Sequence, residues 1–285
     1  MSEVYLNGGF GPLAAAQVSV MDRGFLFGDG VYEVIPAYSR RPFRLDEHLA
    51  RLQRSLDGIR LANPHRADAW KAIIGRVIAA ADWDDQSCYL QVTRGSMTQR
   101  NHAFPATVTP TVFVMSEALV TPPPELRAQG VAAVSAADFR WLRCDLKATS
   151  LLANCLLRQL AVDADCAETV LFRDGFLSEG SASNIFAVKD GCLLAPTKNH
   201  LMLPGITYDV VLELAAANGL RYEVRDVLEA ETRAAAELWL SSSTKEVLPI
   251  VALDGRPIGS GKPGPLFAAM HGWYQDYKRN VMRRG

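Results

Sequence analysis

Apolar residues recur at strand and helix spacings along the first 118 residues. Period-two stretches in "VYLNG", "QVSVMDRG" and "VYEVIPAYSRRPF" predict short strands, and the last predicts a hairpin that turns at residues 39–41. Leucines at helical spacing predict a helix through "EHLARLQRSLDGIR", which Asp46 would cap. A second helix over "ADAWKAIIGRVIAAA" and two strands, "SCYLQVTRG" and "PTVFVMS", complete an N-terminal α+β unit.

The remainder of the chain mixes strands and helices without regular alternation. Strands are predicted in "VAAVSAA", "TVLFRDG", "NIFAVKDG", "ELWLSSS" and "LPIVALDG", and helices at about residues 150–163, 207–218 and 265–282. This order favours two α+β domains that meet at a cleft over a doubly wound parallel sheet, and small ligands usually bind in such clefts.

Three consecutive prolines in "EALVTPPPELRAQG" indicate a linker. We therefore predict an N-terminal α+β domain over residues 1–118, a proline-rich linker over 119–128 and a C-terminal α/β domain over 129–285, which carries Lys147.

Composition narrows the function classes. The 285 residues are 49% hydrophobic, and 30 basic residues balance 31 acidic ones to a net charge of -1, so no nucleic-acid partner is expected. The start "MSEVYLNGGF" lacks the pattern of a signal peptide, and no apolar run reaches membrane-spanning length, which predicts a cytoplasmic protein without membrane contact. Five scattered cysteines without CxxC spacing are typical of reduced thiols, and five isolated histidines predict no metal site.

Lys147 ends a stretch, "RWLRCDLKATS" (140–150), in which polar and apolar side chains alternate as on an extended chain. A lysine that attacks a carbonyl must be neutral, which requires a partly desolvated setting. Only Lys147 and Lys245 have strand-like neighbours. The other five lysines lie on amphipathic helices or in turn sequences: Lys71, Lys189, Lys198, Lys262 and Lys278. For Lys147 these patterns leave both a solvated strand face and a nucleophilic amine open.

Other segments also allow two interpretations. Glu179 in "LSEGSASNIF" is either a turn carboxylate or a carboxylate that keeps a pyridine nitrogen protonated under a flat ligand. Thr207 opens a helix whose N-terminus is either simply capped or binds phosphate. Arg51 on its helix and the hydroxyls of "LSSST" (240–244) are weak signals alone. "GSGKPG" (259–264) fits GxGxxG, but Pro263 and the missing βαβ unit make it a turn.

Six motifs occur in order along the chain: "FGDGVYEV" (27–34), "EHLARL" (47–52), "VTRGSMTQRNHAFP" (92–105), "RWLRCDLKATSLLA" (140–153), "LSEGSASNIFAVKDG" (177–191) and "PGITYDVV" (204–211). Together they resemble the fold-type IV pyridoxal-phosphate aminotransferases, and among them the D-amino acid aminotransferases most. The resemblance runs in order from about residue 3 to 255, and nothing after Lys262 matches. It implies a two-domain α+β enzyme of fold type IV, a homodimer, with pyridoxal 5'-phosphate in the interdomain cleft.

The resemblance also implies site residues. Lys147 is the catalytic lysine that forms the Schiff base and moves a proton, and Glu179 pairs with the pyridine nitrogen. Leu203 packs on the ring, and Ser181 lies in the small-residue segment that approaches it. The phosphate is expected at Arg51, Ile206, Thr207, Ser243 and Thr244. The substrate residues are Tyr32, Tyr89, Arg100 and His102, the last two binding the α-carboxylate.

The sequence departs from the family pattern at three positions: Ala182 stands where a serine is usual, Pro36 follows "YEVI", and Pro204 precedes "GIT". These departures concern side-chain selectivity more than chemistry.

The expected function is transamination between a D-amino acid of the D-alanine type and a 2-oxo acid. Alternatives of the same fold are an L-branched-chain aminotransferase, an (R)-amine transaminase and an aminodeoxychorismate-type lyase. A binding protein that stores the cofactor without turnover is an alternative of another class. Arg100 and His102 favour the D-specific arrangement, because a planar guanidinium suits a carboxylate and an amine substrate needs no such partner.

Overall fold

The computed structural model describes residues 3–284, which divide into two compact units. The first unit contains residues up to 119 together with 146–151 and the end of the chain from 282, and the second contains residues 120–145 and 152–281. The segment that carries Lys147 therefore belongs to the first unit, although its neighbours in sequence belong to the second. The predicted domain ends at residues 1 and 285 lie outside the described residues.

The first unit is built on a six-stranded antiparallel sheet. Its strands are β1 (Glu3–Leu6), β2 (Gly9–Pro12), β3 (Gly30–Tyr38), β4 (Arg41–Pro42), β5 (Gln86–Thr93) and β6 (Thr111–Ala118), in the order β2-β1-β6-β5-β3-β4. The predicted hairpin is confirmed: β3 and β4 turn at Ser39 and Arg40, both with positive φ. The predicted strand in "QVSVMDRG" is wrong, because Asp22 caps a short helix, α1 (Arg23–Phe27), by accepting a hydrogen bond from the Gly24 N–H (2.7 Å).

Two longer helices, α2 (Leu45–Gly58) and α3 (Ala67–Ala79), were predicted and are confirmed. Leu52 and Leu56 of α2 and Trp70 of α3 are buried in one core with Ile35 and Leu90 of the sheet. Asp46 is not the cap. The helix begins one residue before Asp46, after Arg44 in the left-handed conformation. Asp46 therefore lies in the first turn, where its negative charge interacts favourably with the helix dipole.

Residues 146–151 pair with the start of β3. The Tyr32 N–H donates to the Lys147 carbonyl and the Thr149 N–H donates to the Gly30 carbonyl, both at 2.9 Å. The preceding residues are not extended, so the strand interpretation of 140–147 is wrong. They form bends and a turn, stabilised by non-local contacts such as the Cys144 N–H on the His200 carbonyl (2.8 Å).

The second unit contains a nine-stranded mixed sheet within the described residues, in the order β12-β11-β10-β13-β14-β7-β8-β9 with β15 paired to β14. The strands are β7 (Val131–Ala137), β8 (Glu168–Arg173), β9 (Phe176–Gly180), β10 (Asn184–Lys189), β11 (Cys192–Ala195), β12 (Tyr222–Val224), β13 (Glu237–Ser242), β14 (Glu246–Leu253) and β15 (Arg256–Pro257). The β11–β12, β14–β7 and β7–β8 pairs are parallel. The five strands predicted for this part are confirmed, and four short strands were not predicted.

Helices of the second unit are α4 (Pro124–Gln129), α5 (Leu152–Asp163), α6 (Ile206–Ala217), α7 (Glu229–Arg233) and α8 (Pro265–Tyr277), the last continuing into a π-helical turn, Lys278–Met282. The three predicted helices correspond to α5, α6 and α8 with its extension, while α4 lies in the proline-rich segment. Among the described residues, no helix has the length and apolarity needed to cross a membrane.

Candidate active site

Lys147 is held by β3 and α2 of the first unit. Its carbonyl accepts from Tyr32, and its N–H donates to the Ser55 hydroxyl of α2 (3.2 Å). The half-buried Lys147 amine lies 4.3 Å from the centre of the Tyr32 ring, which stacks on Tyr89 at 5.7 Å. The amine therefore lies against an aromatic surface.

Lys245 has a different environment. It lies in the turn after β13, and its amine is 3.3 Å from the fully buried carboxylate of Glu168. The Lys245 amine is thus engaged in an ion pair with a buried carboxylate. Of the two lysines with strand-like neighbours, Lys147 is the better candidate for carbonyl chemistry.

A buried carboxylate orients Arg51. Glu33 accepts from Arg51 Nε (2.8 Å) and Nη2 (2.7 Å), and its second oxygen is 2.8 Å from His48 Nδ1. Burial alone would raise the pKa of Glu33, but the charge and hydrogen bonds of Arg51 and His48 hold this pKa far below its ordinary value. Burial lowers the pKa of His48, whose Nε2 has no hydrogen-bond partner in the described part of the chain.

Glu179 is a buried residue of β9 and not a turn carboxylate. It accepts from Arg140 Nη1 (2.5 Å), from the Leu203 N–H (3.2 Å) and from Asn184 Nδ2 (3.2 Å). Burial raises the pKa of Glu179 to about 7, against the opposing charge of Arg140. A cation that approached this carboxylate would favour its ionised form.

Arg140 is itself held by a second carboxylate. Asp138 accepts from Arg140 Nε and Nη2, both at 2.9 Å, and also pairs with Arg173 (3.0 Å). Burial opposes the charge of Arg140, but Asp138 and Glu179 raise its pKa well above the ordinary value. The guanidinium is thus a fixed, permanently charged partner of Glu179.

The N-terminus of α6 begins with Ile206 and Thr207, both 6% exposed, and no side chain caps it. A Cβ at Gly205 would lie 2.1 Å from the Asn184 Oδ1, so a larger residue there would displace the Asn184 side chain. The half-buried Ser243 and Thr244 lie in the turn between β13 and β14. Ser181 is buried, and its hydroxyl donates to Glu168.

Arg100 and His102 form a separate group around Phe27 in the first unit. The Arg100 guanidinium carbon lies 4.9 Å from the centre of the Phe27 ring, and the His102 ring lies 5.1 Å from it. Both residues are exposed and belong to a loop without regular secondary structure, between β5 and β6.

Comparison with known proteins identifies the family. A model of the family described as amino-transferase class IV matches residues 30–253. D-alanine aminotransferase of Bacillus licheniformis is 39% identical over 264 residues, which is 93% of both chains. The chain belongs to the class IV aminotransferases. D-alanine aminotransferase of Listeria innocua serovar 6a is 37% identical over 91% of this aminotransferase and 90% of the relative.

Solved structures confirm the predicted α+β fold of type IV. The branched-chain amino acid aminotransferase from T.th., solved with pyridoxamine 5'-phosphate, has a TM-score of 0.91 at 25% identity, covering 100% of this chain and 97% of its own. The branched-chain amino acid aminotransferase of Escherichia coli has a TM-score of 0.87 at 25% identity and covers 95% and 92% of the two chains.

Five residues that bond to predicted site residues, or to their partners, were not predicted from the sequence. Glu33 and His48 lie inside the recognised motifs "FGDGVYEV" and "EHLARL", and Arg140 opens "RWLRCDLK", so the motifs contained a signal for each. Asp138 lies two residues before Arg140, and Asn184 follows the small-residue segment. What the sequence did not supply was their pairing, which only the folded chain reveals.

Proposed function

We propose that this aminotransferase exchanges an amino group between a D-amino acid of the D-alanine type and a 2-oxo acid, with pyridoxal 5'-phosphate as its cofactor. The observation that carries the proposal is the likeness to D-alanine aminotransferases over more than nine-tenths of the chain. The environment of Lys147 supports the lysine chemistry that this reaction needs.

The residues of the first unit fit the aldehyde and the phosphate of this cofactor. Lys147 supplies the amine beside Tyr32. Arg51 supplies a buried cation whose orientation is fixed by Glu33, and the unpaired His48 Nε2 is a further polar atom of the same cluster. A planar guanidinium held along one edge suits a phosphate.

The residues of the second unit fit the pyridine nitrogen and the phosphate. A carboxyl with a pKa of about 7, such as Glu179, ionises readily beside a pyridinium and keeps it protonated. The uncapped N-terminus of α6 offers the N–H groups of Ile206 and Thr207 to an anion. The hydroxyls of Ser243 and Thr244 are further phosphate donors, Ser181 lines the ring's approach, and Leu203 packs on the ring.

When bound, pyridoxal phosphate supplies an aldehyde that bonds to amines and a ring that stores the electrons released at the substrate Cα. Lys147 would hold the cofactor through its amine and would move the substrate Cα proton as a general base and acid. Glu179 would keep the ring nitrogen protonated, and Arg140 keeps Glu179 in place.

Arg100 and His102 bind the substrate α-carboxylate in this proposal, and Tyr32 and Tyr89 form the apolar wall. The guanidinium gives a charge-assisted and directional contact, while the imidazole orients the carboxylate. The side chain of D-alanine is small, so most recognition comes from its carboxylate and amine.

A panel of half-reactions tests the proposal. The holoenzyme is mixed separately with D-alanine, D-glutamate, L-leucine and (R)-1-phenylethylamine, and the absorbance change from the aldehyde to the amine form of the cofactor is recorded. D-Alanine should react fastest. Preference for L-leucine or for the carboxylate-free amine would contradict the D-amino acid assignment, and pyruvate release from aminodeoxychorismate without an amino acceptor would indicate the lyase.

An L-branched-chain aminotransferase is the second candidate, because solved enzymes of that class share the fold at TM-scores of 0.87 and 0.91. The identity to them is 25%, lower than the 39% to a D-alanine aminotransferase. The L-leucine arm of the same panel separates the two.

We further propose a homodimer. Leu152, Leu156 and Leu160 lie at i, i+4 and i+8 on α5 and are 74%, 54% and 45% exposed, so they form an apolar stripe along one helix face. A second copy is the partner that the family resemblance suggests. Leu156→Glu should shift the mass measured by light scattering from dimer to monomer, whereas a wild-type monomer, or an unchanged dimer in the variant, would contradict this interface.

A cytoplasmic location is proposed as well. All five cysteines are free thiols, three of them buried, which is typical of a reducing compartment. Cell fractionation followed by immunoblotting tests the location.

A further inference from the structure

The loop that carries Arg100 and His102 is held by one buried side chain. Arg23, the first residue of α1, is 3% exposed. Its Nη1 donates to the carbonyls of Asn101 (2.6 Å) and Ala103 (3.2 Å), and its Nη2 donates to the carbonyl of His102 (3.1 Å). A single guanidinium therefore binds three consecutive carbonyls of a loop that has no strand or helix of its own.

Asp29 fixes the orientation of this guanidinium. Its Oδ2 accepts from Arg23 Nε (2.7 Å) and from Nε of the buried Arg94 (2.8 Å). Arg94 in turn donates to the main-chain carbonyls of Ile59 and Arg60, which directly follow α2. Arg23, Asp29 and Arg94 thus connect the loop to the residues that follow α2.

Phe27 completes the arrangement from the other end of α1. Its ring contacts Arg23 (5.0 Å), Arg100 (4.9 Å) and His102 (5.1 Å). The two side chains proposed to bind carboxylate therefore rest on one aromatic ring, while their backbone is held by the arginine of the same helix. Neither contact places Arg23 itself on a substrate.

We propose that Arg23 is a positioning residue for substrate recognition, which fixes the 101–103 backbone so that Arg100 and His102 are presented as a preformed carboxylate site. This inference rests on the proposed role of Arg100 and His102. Preorganisation lowers the entropy lost on binding, so its removal weakens substrate binding more than it slows chemistry. Arg23 contributes three charge-assisted hydrogen bonds to the order of this loop.

Arg23→Met tests the proposal, because methionine keeps an apolar stem and removes every donor. In the holoenzyme, KM for D-alanine should rise about tenfold or more while kcat changes by less than about threefold. Trypsin cleavage after Arg100, followed by mass spectrometry, should become at least about tenfold faster, since the loop opens more often. Arg23→Lys, which keeps the buried charge but not the planar fork, should lie between wild type and Arg23→Met and serves if the methionine variant fails to fold.

Arg60→Met is the matched control. The exposed Arg60 side chain reaches the same loop, 5.8 Å from the Phe104 ring, without donating to its carbonyls. Its KM and cleavage rate should stay within about twofold of wild type. If Arg23→Met and Arg23→Lys also stay within that range, the proposal is wrong.

A double-mutant cycle separates this inference from the proposed function. In an Arg100→Ala/His102→Ala background, Arg23→Met should add little to KM, because its effect passes through these two side chains. An undiminished effect there would overturn the proposal, even if Arg100 binds substrate. If Arg100→Ala/His102→Ala alone leaves KM unchanged, the two side chains do not bind substrate, and Arg23 has no role in recognition. If that double variant raises KM but Arg23→Met does not, only the positioning role of Arg23 is refuted.

Discussion

Glu33 controls two neighbours at once, because its fully buried carboxylate binds the edge of Arg51 and the Nδ1 of His48. A buried guanidinium without its counter-charge costs more than the pair itself contributes to stability. The orientation of Arg51, on which the proposed phosphate contact depends, is therefore set by Glu33.

Glu33→Gln tests this dependence. The unfolding free energy of the apoprotein in urea should fall by about 3 kcal/mol, because Arg51 loses its buried partner. The dissociation constant for pyridoxal phosphate should rise about tenfold. Glu3→Gln, which removes the surface pair of Glu3 with Arg76, is the control and should change both quantities much less. Equal effects of the two substitutions would contradict the account.

Glu179 gives a pH prediction. Its pKa is raised from the ordinary 4.5 to about 7, so the native apoprotein binds more protons than the unfolded chain between these pH values. Because of this carboxyl, the unfolding free energy of the apoprotein should fall by roughly 3 kcal/mol as the pH rises from about 4.5 to 7. Glu179→Gln should abolish that decline in urea unfolding of the apoprotein.

Glu168 is the matched control for the direction in which stability changes with pH. It is equally buried, but Lys245 and the Ser181 and Ser183 hydroxyls outweigh burial and lower its pKa. Its contribution to stability is therefore present above the ordinary pKa and is lost as the pH falls below it. Glu168→Gln should change the acid side of the profile. A Glu179→Gln profile parallel to wild type from pH 4.5 to 7 would contradict the raised pKa.

A glycine in α2 is closely packed, whereas a glycine in α3 has open space around it. A Cβ at Gly58 would lie 2.3 Å from a Leu146 methyl group, next to Lys147, whereas a Cβ at Gly75 of α3 meets nothing within 4 Å. Gly75→Ala should raise the unfolding free energy by about 0.5–1 kcal/mol, the usual gain in a helix. Gly58→Ala should lose this gain and slow the half-reaction with D-alanine, because Leu146 must move. Equal stabilisation by both substitutions would show that Leu146 accommodates the methyl group freely.

At the level of elements, local pattern predicted α2, α3 and the β3–β4 hairpin, because their periodicity and turn residues agree with the final fold. It was wrong where tertiary contacts override the pattern. "RWLRCDLK" alternates like a strand, but the Arg140 N–H bonds the Asp138 side chain and the Cys144 N–H bonds the His200 carbonyl, which bend the chain. The segment "QVSVMDRG" also alternates like a strand, but its Asp22 caps α1 and its last two residues begin that helix.

The predicted site shows the same limit. Spacing and neighbours narrowed the seven lysines to Lys147 and Lys245, and the family resemblance favoured Lys147. The ion pair of Lys245 with Glu168 is a difference between the two lysines that only the structure shows. Glu33 pairs with an arginine 18 residues away, and Arg140 pairs with Glu179 39 residues away. Such pairs require knowledge of which strand and helix meet, which no local pattern contains.

At the scale of the whole molecule, each of the two units is built from segments that are not contiguous in sequence. Residues 146–151 belong to the first unit, although residues on both sides belong to the second. The chain thus carries Lys147 to β3 and α2, beside Tyr32 and Ser55, where its backbone is fixed at both its N–H and its carbonyl. A proline-rich boundary alone would have assigned this lysine to the C-terminal domain.

The proposed chemistry depends on which lysine carries the cofactor. The holoenzyme is reduced with borohydride and digested, and the pyridoxyl-bearing peptide is sequenced by mass spectrometry. The label should be on Lys147, in the peptide that follows Arg143, and Lys147→Ala should not turn over D-alanine. A label on Lys245, or D-alanine turnover by Lys147→Ala near the wild-type rate, would contradict this role of Lys147.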